Sequence, residues 1–136
     1  MTVIPDLKTL YEIDDEALDL ENLIEELEDL GNEKKFRVAS LLEQIIRHCL
    51  LLQFWQDERT YNRSHWRSEI VNFKNQINTY LTTNLRNYLT QELPLIYQKA
   101  LNYVREKTDN QVRFPGECPY SLENLLALDW FPPENE

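Results

Sequence analysis

The groups in this 136-residue chain that could do chemistry are two histidines, two cysteines and a surplus of carboxylates. A dinuclear metal bundle takes glutamates from two helices and a Glu-x-x-His pair from two others, so that all ligands face inward. Here Glu43 and His48 are five apart and no Glu-x-x-His occurs. No metal site is assigned and no cofactor is called for. A nucleophile needs a base beside it. His48 adjoins Cys49, but neighbours on a helix point about 100° apart. Cys118 sits between Glu117 and Pro119, with no cation in sequence to lower its pKa. Carboxylates that crowd a helix face are ordinarily solvated or ion-paired, whereas an acid/base dyad needs burial. No residue is given a catalytic role, and an enzyme of unknown reaction with His48 as acid/base ranks third among the readings.

Two local conflicts are more informative. Glu21, Glu25 and Asp29 fall at i, i+4 and i+8, with Glu28 beside them. Like charges at that spacing destabilise a helix, and Glu28 and Asp29 sit at the end the macrodipole disfavours. Such a stripe asks for a cationic partner. The reverse holds further on. Arg63 and Arg67 flank the first turn expected after a Ser64 cap, with Arg59 just upstream, and Arg67 stands where a capping box has Glu or Gln. An anion is expected near them. The preferred solution is internal: the acidic stripe and the arginines neutralise each other, with His48 between them. The sharper one is external. Arg59, Arg63 and Arg67, interleaved with Tyr61, His65 and Trp66, have the chemistry of a single-stranded nucleic-acid site.

The elements that must position these groups are helices. Leu20, Leu23, Ile24, Leu27 and Leu30 lie on one helix face, with Asp19 as cap and Gly31 as the left-handed stop. A second helix is expected from about 32 to 56, with Val38, Leu42, Ile45, Cys49 and Leu52 as its stripe. It is apolar on nearly every side around 49–55, which makes it the central, most buried helix. Residues 57–62 read as a turn. A third helix, from Ser64, turns Trp66, Ile70, Phe73, Ile77, Tyr80 and Leu81 inward. Asn84 marks a break, Leu85–Leu89 a short helical turn, and Pro94 either starts the next helix or kinks one already running. Ile96, Tyr97, Ala100, Leu101 and Val104 carry that helix to about Thr108. A loop over 109–120, a short helix from Ser121 to about Leu128 and an extended tail with Trp130 and Phe131 docked on the bundle complete the chain. The fold class is all-α: a compact helical bundle with a long central helix and an extended C-terminal tail, one domain over 1–136.

Composition sets bounds. With only Gly31 and Gly116, a Gly-rich phosphate loop is excluded. The start has no basic and apolar regions of a signal peptide, and the longest apolar run is far short of the roughly 20 residues a bilayer takes. No membrane role is expected. Two distant cysteines suit reduced thiols in a cytoplasm. The net charge of −10 is uneven. Residues 1–32 carry 11 acids and one base, residues 33–113 carry 13 bases and 8 acids, and residues 114–136 carry 5 acids and no base. An acidic head, a mildly basic body and an acidic tail follow, so a broad nucleic-acid-binding face is disfavoured.

Three segments together resemble a bacterial family, domain-of-unknown-function family twenty-nine. They are LDLENLIEELEDLGNEKKFRVASLLEQIIRHCLLLQFW (18–55), ERTYNRSHWRSEI (58–70) and FPGECPYSLENLLALDWFP (114–132). The resemblance implies a small all-α protein without an established activity. It also implies a recurring polar pattern at Asn22, Glu25, Glu26, His48, Arg63, Trp66 and Arg67. In one respect the chain departs from the pattern. Tyr11–Asp15 runs almost directly into Leu18, so one helix is missing and an apolar groove is expected, covered by a partner or a second copy.

The first functional reading is a non-enzymatic interaction or regulatory module, self-associating or bound to a protein partner. Its candidate polar cluster is Glu25, Glu28, His48, Arg63 and Arg67 near Trp66. A nucleic-acid-associated regulator using Arg59, Arg63, Trp66 and Arg67 is the runner-up.

Overall fold

The computed structural model describes residues 7–136, with side chains from Asp19 onward. It is all-α: α1 spans Leu7–Phe54, α2 Gln56–Tyr80, α3 Thr83–Lys107 and α4 Leu122–Leu126, with no strand among the described residues. Contacts divide the chain into two units, with the boundary between Lys34 and Lys35. The apolar groove expected from the shortened stretch at Tyr11–Asp15 rests on residues whose side chains lie outside those described.

The core belongs to the second unit. The expected α1 stripe of Val38, Leu42, Ile45, Cys49 and Leu52 is fully buried, joined by Leu41, Ile46, Leu50 and Leu51. Four consecutive buried residues, Cys49–Leu52, cannot share one face of a helix, so neighbours must surround α1 there. α2 contributes Trp66, Ile70 and Ile77; α3 contributes Leu85, Leu89, Ile96, Tyr97, Ala100, Leu101 and Val104. Leu125 and Leu126 of α4 close the cluster, against which Trp130 and Phe131 pack. Docking of the tail aromatics is thereby met.

Several boundaries differ from expectation. Asp19 caps no helix, because α1 already runs from Leu7. Gly31 does not end a helix; α1 continues through it, and its backbone is not left-handed. A glycine inside a helix costs about 1 kcal/mol relative to alanine, whereas ending there would leave carbonyls needing new partners. Residues 57–62 are helix, not turn. The chain turns at Trp55 alone, where the Trp55 amide still donates to the Leu51 carbonyl at 3.0 Å and its own carbonyl accepts from Arg59 at 3.1 Å. Asp57 and Glu58 then occupy the first turn of α2, where the dipole favours acids. Ser64 is not a cap, so Arg63 and Arg67 lie turns inside the helix, away from its N-terminal dipole. Finally, Asn84 is not a break. Thr82 caps α3 by accepting from the Leu85 amide, and Pro94 sits inside a helix that runs unbroken to Lys107. Ser121 caps α4 as expected, accepting from the Asn124 amide at 3.1 Å, though α4 ends at Leu126.

Candidate functional site

The structure distributes the sequence-derived cluster over three places. The first is the surface of α2 under the C-terminal tail. Arg59 donates from Nε to the Leu52 carbonyl at 2.8 Å and from Nη2 to the Gln53 carbonyl at 2.9 Å. These are last-turn carbonyls of α1, a helix without a basic residue in its own last turn. Arg59 therefore supplies from α2 the cation that the negative end of α1 favours. The same Nη2 donates to the Asn135 carbonyl at 2.7 Å, and the Asn135 amide donates to the Gln53 carbonyl at 3.0 Å. Arg63 Nε donates to Glu134 at 2.7 Å, and Arg67 lies 3.6 Å over the Phe131 ring. The anion expected beside these arginines is present, and it is Glu134 on the tail. Arg63 in turn holds the Glu134 carboxyl below its ordinary value.

Behind this clasp lies a residue that the sequence reading passed over. Lys74 is fully buried. Its ammonium donates to the carbonyls of Ala127 at 2.6 Å, Trp130 at 2.5 Å and Asn124 at 3.3 Å. Three donors meet three acceptors, which satisfies a buried ammonium and the end of α4 together. Lys74 also lies 5.3 Å from the Trp130 ring centroid. Its place between Ile70 and Ile77 on the inner stripe of α2 was the available signal.

The second place is a cavity of about 360 Å³ lined by His48, Trp66, Arg47, His65, Trp55 and Tyr103, among others. Only His48 and Trp66 of the expected cluster meet here. His48 Nδ1 donates to the Gln44 carbonyl at 2.7 Å; because a carbonyl only accepts, the neutral ring keeps its free lone pair on Nε2. Burial lowers the His48 pKa and so favours the neutral ring. No carboxylate hydrogen-bonds to it among the described residues. Arg47 pairs with Glu43 and stacks 3.7 Å from the Tyr103 centroid, and Trp55 stacks on Trp66 at 6.0 Å. Part of the lining is thus engaged with its own neighbours, while the buried Arg47 Nε has no hydrogen-bond partner among the described residues. Burial pushes the Cys49 thiol up to about 12 and raises that of Cys118; both are free thiols, and neither is an activated nucleophile. Among the described residues no group of three or more His, Cys, Asp or Glu could hold a metal ion, and no helix is long and apolar enough to cross a membrane.

The third place holds Glu25 and Glu28, in the first unit on α1. The helix over 19–30 is amphipathic, as the periodicity implies, but its apolar side is not a core. Leu20, Leu23, Ile24, Leu27 and Leu30 are 47–59% exposed. Asp19, Glu21, Glu25, Glu26, Glu28 and Asp29 share the same twelve residues, which contain no base. Five large exposed apolar side chains in one stripe are far more than isolated surface leucines. Their i, i+3, i+4, i+7 and i+10 spacing is that of one amphipathic helix face.

A family model described as Domain of unknown function DUF29 matches residues 5–131. No curated protein matches the chain, and no solved structure does.

Proposed function

We propose, from the premise that the chain belongs to the Domain of unknown function DUF29 family, that it is a non-enzymatic helical interaction module. The acting surface is the 19–30 face of α1. One observation carries this reading: the exposure of Leu20, Leu23, Ile24, Leu27 and Leu30 along one helical stripe. Covering such a stripe removes apolar area from water, at about 25 cal/mol per Å² before ordering costs. The arginines of the other candidate cluster are engaged within the chain. Arg59 is bonded to main-chain carbonyls and Arg63 to Glu134, and Arg67 lies over the Phe131 ring. His48 has a carbonyl, not a carboxylate, as its partner.

The test is site-directed photo-crosslinking in the native cell. A photoreactive residue placed at Leu23 yields a discrete protein adduct, while one at Tyr61, 83% exposed in the second unit, yields none. Equal labelling from both positions, or none from Leu23, overturns the proposal.

A further inference from the structure

Resting on that reading, we infer that the occupant of the 19–30 face is a cationic amphipathic helix of another protein, not the same face of a second copy of this chain. The reason is charge. The stripe is bordered on both flanks: Glu21, Glu25 and Glu28 lie along one edge, and Glu26 with Asp29 toward the other, at helical spacings from the leucines. None of these acids has an ion-pair partner among those found in the described residues. Two copies meeting through this stripe would bring twelve acids around one seam, and residues 1–32 as a whole carry 11 acids against one base. Like charges flanking an apolar seam select against that pairing, as they do at the borders of coiled coils. A helix whose apolar stripe is edged by lysine and arginine meets both demands. Its leucine-like anchors cover Leu20, Leu23, Ile24, Leu27 and Leu30, and its cations answer the bordering carboxylates. An anionic membrane, the other apolar surface of wide occurrence, is repelled by the same acids.

The experiment titrates the full chain against three labelled synthetic peptides of about 18 residues, five helical turns. The first is amphipathic with a leucine stripe and lysine–arginine borders. A second has the same stripe with glutamate borders, and a third has the composition of the first with its leucines scattered round the helix. Binding of the first is expected, at least about tenfold tighter than either of the others, and weakening as salt rises from about 0.05 M to about 0.5 M. Sedimentation equilibrium of the chain alone is expected to give a monomer.

Equal binding of the first two peptides overturns the charge selection while leaving the docking face intact. So does a dimer that the replacement Leu27→Gln abolishes. Equal binding of the first and third shows attraction without docking and overturns the proposal. Failure of all three peptides, together with a monomeric chain, removes the interaction reading itself.

Discussion

At the scale of single residues, two buried groups set what the second unit tolerates. Lys74 reaches three carbonyls at the junction of α4 and the tail. Lys74→Met keeps the apolar stem and removes all three donors. Unsatisfied buried acceptors cost about 1–3 kcal/mol each at most, with solvent relieving part, so a loss of roughly 2–3 kcal/mol is expected in urea unfolding. The emission of Trp130 should shift with it. A Lys74→Met protein as stable as the parent would show that those carbonyls find other partners. His48 sets a pH dependence. Burial holds its folded pKa below 6.5, with the Gln44 carbonyl and Glu69 pulling the other way. On acidification the unfolded chain takes up the proton first, near 6.5, so stability falls from about that pH downward. The fall levels off once the folded state is protonated too. His48→Gln should flatten this part of the stability–pH profile; an unchanged slope would contradict the buried, neutral imidazole.

At the scale of elements, the corner between α1 and α2 is a single residue, Trp55, and Arg59 closes it. Arg59→Ala removes the bonds to Leu52 and Gln53, with an expected cost of about 1–2 kcal/mol. Arg59→Lys keeps the charge but not the planar fork and should lie between. The clasp to Glu134 is of another kind. Its partner Arg63 is exposed, and the pair is open to salt. Because the folded carboxyl titrates below 4.5, the clasp is present above that pH and is lost as pH falls through the lower value. Glu134→Gln should loosen the tail, seen as faster amide exchange at Asn135, without moving the global melting transition; an unchanged exchange rate would count against the clasp. This arrangement also shows what was legible in the chain. The buried stripe from Val38 to Leu52 follows from 3.6-residue periodicity, and so do the inner faces of α2 and α3. Arg59 was legible as a cation seeking negative charge, but its partners are carbonyls across a corner placed two residues from where turn chemistry had put it. Polar residues 57–62 read as a turn because solvated helix faces and turns share a composition. Lys74 was passed over, since a lysine inside an apolar stripe becomes sensible only when three carbonyls are known to converge on it.

At the scale of the whole molecule, the charge of −10 resolves into local roles. The tail's Glu134 is answered by Arg63 within the second unit. The acids of 19–30 border an exposed apolar stripe instead. Periodicity alone could place that stripe on one helix face, but not tell a core face from a docking face, because both obey the same spacing. In the structure the stripe is exposed rather than buried in the core. Replacing these leucines should therefore leave stability nearly unchanged, in contrast to any change at Leu42 or Ile45, where truncation to alanine costs about 2–5 kcal/mol. The central claim is that this stripe exists to be covered by another helix. It is tested most directly by titrating the cationic amphipathic peptide against the parent chain and the Leu23→Gln/Leu27→Gln double variant, with a melting curve for each. The account predicts coincident melting curves and loss of binding in the variant; undiminished binding by the double variant would contradict it.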